Sequence, residues 1–180
     1  VRRHNSLRLS GYDYSREGAY FITIVTHGRE TLFGRVVNGE MVLNAFGRIV
    51  KLEWIKSSKI RKEVEIDPDE FVVMPNHIHG IIVINENDPC CRGVRPDAPT
   101  MPPHRLSSKS LGSFVCGFKS SVTKQINTLR KTPGQPVWQR NYFDHIIRNE
   151  KDYYNISEYI ELNPENWAHD DVFIKSNAFV

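Results

Sequence analysis

His77 and His79 are separated by one residue in the stretch Phe71-Val-Val-Met-Pro-Asn-His-Ile-His-Gly-Ile-Ile-Val-Ile84. The second half of that stretch is short, apolar and rich in branched residues, which reads as a buried strand. Side chains alternate across a strand, so the two imidazoles project from one face and Ile78 from the other. Two neutral imidazoles on one face of a rigid strand can share a divalent metal. The pair also fits a plain structural role, two hydrogen-bonded histidines at a strand end. About eighty residues on, Tyr159 and Asn163 are four apart near the end of a helical stretch and therefore stack on one face. A phenol and a carboxamide at this spacing reach a common point above the sheet, and a carboxamide oxygen is a third ligand suited to a hard ion such as Mg²⁺ or Mn²⁺. On helix periodicity alone the structural reading is the stronger: Tyr159 as a half-buried core residue, Asn163 as the helix end before Pro164.

The positioning elements are legible around these residues. Tyr20-Phe-Ile-Thr-Ile-Val-Thr26 has the β-branched and aromatic content of a first strand. Asn38-Gly39 between two Val/Met-rich arms, from Leu32 to Leu43, predicts a hairpin. Asn44 caps a helix over residues 45–60, with Phe46, Ile49, Val50, Leu52 or Glu53, Trp54 and Ile60 on its apolar side. Val64 to Met74 reads as a strand interrupted or flanked near Asp67-Pro68-Asp69, and Pro75-Asn76 turns the chain into His77. Residues 85–105 hold five prolines and little periodicity, the pattern of a long flexible loop. A helix is expected from Ser107 to about Lys131, with Leu111, Val115, Phe118, Val122, Ile126 and Leu129 inward. Val137 to Ile147 reads as a final strand or extended segment. Asn149 caps a last helix that runs to Asn163, with Tyr153, Ile156 and Ile160 as its apolar stripe. Mixed hairpins and helices predict an α+β fold, an antiparallel sheet with helices packed on it.

At 180 residues the chain is one domain with its own core, preceded by a basic lead-in (1–19) and followed by an acidic tail (165–180). No apolar run is long enough to cross a membrane and the basic start lacks a signal-type apolar region, so no membrane partner is expected. The three cysteines, two of them adjacent, form neither a disulfide framework nor a structural zinc spacing, which points to a cytoplasmic setting. Net charge is only +3, but residues 1–60 carry ten Lys/Arg against five Asp/Glu, and residues 104–151 carry nine against two. Basic blocks interleaved with aromatics suit a phosphate backbone; on charge alone a solvated basic surface fits equally.

Three stretches together resemble the REP-associated tyrosine transposases, of the single-tyrosine branch of the HUH (His, hydrophobic, His) nucleases. They are Val73-Met-Pro-Asn-His-Ile-His-Gly, Val137-Trp-Gln-Arg-Asn-Tyr-Phe-Asp-His-Ile-Ile-Arg-Asn-Glu150 and Tyr159-Ile-Glu-Leu-Asn-Pro164. The opening Tyr20-Phe-Ile-Thr-Ile-Val-Thr-His-Gly-Arg29 is similar too, so the likeness runs over about residues 12 to 164. The resemblance implies a ferredoxin-like antiparallel sheet with the HUH strand at its centre. It implies Tyr159 as nucleophile, and His77, His79 and Asn163 as ligands of Mg²⁺ or Mn²⁺. It implies a DNA transposase that nicks and rejoins single-stranded DNA carrying hairpins of the REP type, and it leaves a homodimer open. Tyr142, Tyr153 and Tyr154 are competing phenols without an Asn or Gln four residues on. Arg2, Arg3, Lys119, Lys124 and Arg140 would contact phosphates without regard to sequence, and Trp138, Tyr142 and Phe143 would stack unpaired bases or enter the core. His145 reads as a strand histidine hydrogen-bonded to a carbonyl or phosphate, in preference to a fourth metal ligand. Two rivals remain: a non-catalytic binder of structured single strands that keeps a relic site, and a metal hydrolase with a deep apolar pocket beside His77.

Overall fold

A computed structural model describes residues 12–85 and 109–169. The expectations for Arg2, Arg3, the rest of the lead-in to residue 11, the Cys/Pro-rich stretch after Asn85 and the tail from residue 170 lie outside the described residues.

The strands are β1 (Gly18–Val25), β2 (Gly34–Val37), β3 (Glu40–Leu43), β4 (Val64–Glu65), β5 (Phe71–Val73), β6 (His77–Ile84) and β7 (Phe143–Ile147). The helices are α1 (Ala45–Ile60), α2 (Leu111–Arg130) and α3 (Glu150–Glu161). The main sheet runs β4–β6–β1–β7 with β5 also paired to β6, and every pairing is antiparallel. β4 and β5 lie along the same side of β6, parted by a 3-10 turn at Pro68–Glu70 where the Asp67 side chain accepts the Asp69 N–H. Taken as one interrupted strand, they make the order ferredoxin-like, with α1 and α2 as its two crossover helices and β6 inside the sheet. The chain is thus α+β, with the His-Ile-His strand central.

Alternation divides the sheet into two faces. Tyr20, Ile22 and Ile24 of β1 pair with Ile82, Gly80 and Ile78 of β6, and these side chains are buried against α1 and α2. Trp54 of α1 lies directly over Gly80: a Cβ there would stand 2.6 Å from the indole ring. The indole stacks on Phe71, ring centroids 4.4 Å apart. Gly80→Ala therefore overpacks a rigid aromatic contact and is expected to cost about 1–3 kcal/mol of stability. An unchanged denaturation midpoint would show that the indole yields.

The helix caps agree with the sequence. Asn44 accepts the Gly47 N–H at 3.0 Å, and Asn149 accepts the Asp152 N–H at 2.9 Å. Of the two residues that competed for the inner side of α1, Glu53 is the buried one and Leu52 is exposed. The carboxylate is tolerated because the Ser121 hydroxyl and the Lys56 ammonium donate to it. Ile60 and Leu129, expected inward, are exposed, each in the last turn of its helix. The long helix begins at Leu111, later than Ser107, because Ser110 supplies the cap by accepting the Ser113 N–H. β7 starts only at Phe143. The preceding segment is tied to the sheet through a bridge between Thr26 and Trp138. The last helix stops at Glu161, with Leu162 as its cap, and a 3-10 turn follows at Trp167–His169.

Candidate functional site

The second face of the sheet carries Thr23 and Val25 from β1 opposite His79 and His77 of β6. Both histidines are buried, and their ring centroids are 4.5 Å apart. Each ring is oriented through Nδ1. His77 Nδ1 is 2.7 Å from Asn76 Oδ1, and the Asn76 amide nitrogen donates to the Arg29 carbonyl, which turns its oxygen to the imidazole. Asn76 Oδ1 can only accept, so Nδ1 of His77 carries the proton and Nε2 the lone pair. His79 Nδ1 is 2.8 Å from Thr23 Oγ1, and Phe21 stacks on the His79 ring. Burial, followed by the repulsion a second protonated ring at His77 would exert, holds the His79 pKa well below the ordinary imidazole value, so the ring is neutral at neutral pH.

α3 crosses this face, packing against β5 and β6. Tyr159 OH stands 3.3 Å from His79 Nε2, with the phenol ring edge-on to the imidazole and to Phe21. Asn163 is 2% exposed just past the helix end. It is four residues from Tyr159, which meets His79, and four from Trp167, whose ring centroid is 5.9 Å from that of His77. The chain therefore wraps both histidines with Asn163 between its two points of contact. Trp167, Thr23 and Asn76 were not singled out from the sequence. Strand register brings Thr23 to His79 and the turn after Pro164 brings Trp167 to His77, whereas Asn76 is the residue next to His77 in the chain.

Two further contacts hold α3 in place. His145 of β7 lies 2.9 Å from the Asp152 carboxylate, so its partner is a helix residue. On the other side Tyr153 hydrogen-bonds the buried Glu70, and burial followed by that carboxylate pushes the phenol up to about 12. Tyr154 is largely exposed and Tyr142 lies on the other side of the molecule's edge strand, beside α2. Burial raises the Glu70 carboxyl above its ordinary 4.5 despite the Tyr153 hydrogen bond. A raised folded-state pKa contributes stability below 4.5 that is lost as pH rises through the folded value. Glu70→Gln keeps an acceptor for Tyr153 and removes the titration. The variant is expected to be at least as stable as the parent at neutral pH and to lose that decline. Thermal unfolding over about pH 4–8 checks it; a less stable variant with the parent's pH slope would refute it.

The remaining described candidates, Lys119, Lys124, Arg140 and Tyr142, line one groove between α2 and the segment 134–143. Lys119 donates to the carbonyls of Gln139, Arg140 and Asn141 at 2.5, 3.2 and 3.5 Å, and burial draws its pKa down to about 8. Its ammonium clasps backbone, while Lys124 and Arg140 are exposed. Trp138 enters the core against Phe33 and Phe118, whereas Phe143 is 46% exposed. Among the described residues no three His, Cys, Asp or Glu side chains cluster as a metal cage, and no helix is long and apolar enough to cross a membrane.

Comparison with known proteins follows the same lines. No family model matches the chain. An uncharacterized protein of Haemophilus influenzae is 41% identical over 175 residues, 97% of this chain and 95% of that one. A second protein of the same organism, provisionally named a REP-associated tyrosine transposase, is 23% identical over 171 residues, 89% of this chain and 77% of that one. A solved structure of a REP-associated tyrosine transposase bound to a REP hairpin shares the fold, with a TM-score of 0.56 at 22% identity over 88% of this chain and 74% of that one. With this fold, and with relatives of that name matched along most of its length, the chain resembles the REP-associated tyrosine transposases.

Proposed function

We propose that this protein is a single-strand DNA nuclease and strand-transferase of the HUH type, acting on hairpin-bearing DNA through a covalent 5′-phosphotyrosine. The observation that carries the reading is the approach of the Tyr159 hydroxyl to His79 Nε2, beside a second imidazole on the same face. That the solved relative holds a REP hairpin supports DNA as the partner. His77, His79 and Asn163 would hold Mg²⁺ or Mn²⁺. The donor set fits such an ion: both Nδ1 atoms are engaged, the His79 ring is neutral, and two imidazoles with one carboxamide oxygen leave coordination positions for phosphate and water. When bound, the ion would offset charge on the phosphate oxygens.

The protein's own groups do the rest. Tyr159 Oη bonds to phosphorus, the bond from phosphorus to the 3′-oxygen breaks, and the net proton passes from the phenol to that oxygen as it leaves. The phosphodiester energy is kept in the tyrosyl ester, so a second 3′-hydroxyl reverses the step without ATP. Thr23 and Asn76 fix the imidazole planes, and the Asp152–His145 and Tyr153–Glu70 contacts fix the helix that carries the nucleophile. The test is incubation of the protein with Mg²⁺ or Mn²⁺ and hairpin-bearing single strands, followed by denaturing electrophoresis and mass analysis. A protein–DNA adduct is expected. Strands that stay uncut, or that are cut with no adduct, would sink the proposal.

A further inference from the structure

We infer that the groove between α2 and the segment 134–143 is a second DNA subsite, one that seats an unpaired strand leading to Tyr159. The inference rests on the strand-cleaving function proposed above and adds to it where the flank of the hairpin lies. The groove encloses about 1420 Å³, and none of the residues lining it is acidic. Arg140 and Lys124 put two exposed cations on its walls, and Gln135, Gln139 and Asn141 add amides able to meet base edges. A polyanion with hydrogen-bonding edges complements this lining; an acidic peptide would leave the aromatic end of the groove unused.

That aromatic end ties the groove to the catalytic face. Phe143 lines the groove and is also the first residue of β7, where it pairs with Thr23, the partner of His79 Nδ1. A strand lying over Phe143 is therefore one β-strand away from the histidine pair. Phe143 is half exposed on the edge strand β7, and a phenyl face at that position suits stacking on a base. Unpaired bases present free π-faces, whereas a duplex stem hides them between neighbours, so the occupant is the single-stranded flank. Lys119 is a positioning residue here. Its ammonium holds three successive carbonyls, of Gln139, Arg140 and Asn141, and so fixes the wall from which Arg140 projects.

The test needs no cleavage. Affinity is measured by fluorescence anisotropy for two labelled substrates, a hairpin with an unpaired flank and the same hairpin without it, across a salt series. For the flanked hairpin, the Lys124→Ala/Arg140→Ala variant is expected to reduce the slope of log affinity against log salt by about 1.4, from two lost phosphate contacts on a single strand. Phe143→Ala is expected to weaken flanked binding between about five-fold and about a hundred-fold. The flankless hairpin should change less than about two-fold in both. Equal losses on both substrates, or none on either, overturn the subsite. A flank carrying 5-bromouracil, irradiated with the unmutated protein, guards against misfolded variants: crosslinks at Tyr142 or Phe143 are expected, and crosslinks confined elsewhere overturn it. A protein that forms no adduct sinks the nuclease proposal but leaves these binding readouts intact.

Discussion

Tyr159→Phe is expected to abolish the covalent DNA adduct while leaving DNA and metal binding within about two-fold of the parent. The phenyl ring keeps its edge contacts with His79 and Phe21, and the residue is nearly half exposed, so the helix and its packing stay as they are. Only the oxygen that would bond to phosphorus is deleted, and losing its contact with His79 Nε2 is expected to cost about 0.5–1.5 kcal/mol of stability. The competing phenols serve as controls. Tyr142→Phe and Tyr154→Phe should retain the adduct. Tyr153→Phe should retain it too, although it leaves the buried Glu70 carboxyl without its donor and costs about 1–3 kcal/mol of stability. Denaturing electrophoresis with peptide mapping of the adduct decides the matter. Adduct persisting in Tyr159→Phe and vanishing in one of the other three would move the nucleophile to that residue.

What could be read without coordinates was what depends on local periodicity. Strand alternation alone placed His77 and His79 on one face, and the rings are neighbours on β6. Side-chain caps are local too, which is why Asn44 and Asn149 marked helix starts to the residue. Register between distant strands is a long-range property, so nothing near His79 in sequence announced Thr23 as its partner. The same holds for Glu70 and Tyr153, which are joined only once α3 crosses the sheet. Between Leu52 and Glu53 a hydrophobicity pattern favours the leucine inward. The structure buries the glutamate because α2 brings Ser121 to it, an exchange that periodicity has no means to register. Composition marked residues 104–151 as basic but could not say that Lys119 would turn to backbone carbonyls while Arg140 faces solvent.

Loss of either imidazole should have a second signature, in which metal and chemistry fail together. His77→Ala and His79→Ala each remove one of two buried imidazoles, and three proposed ligands reduced to two would leave a hard ion better served by water. Mn²⁺ affinity, followed by calorimetry or by the spectrum of the bound ion, is expected to fall more than about ten-fold in each, with the adduct lost in parallel. The orienting residues grade the effect. Thr23→Val and Asn76→Leu keep the imidazoles but free their Nδ1 atoms, and losses of about 10–100-fold in metal affinity are expected from such second-sphere changes. Chelation by EDTA should stop adduct formation, and added Mg²⁺ or Mn²⁺ should restore it in the parent but not in the histidine variants. Tyr159→Phe separates the two halves of the site, because it should bind Mn²⁺ like the parent and still form no adduct. Full adduct yield in EDTA, or in His79→Ala, would mean that Tyr159 attacks without an ion. The histidine pair would then be left with a structural role, holding Tyr159 and Thr23 across the sheet face.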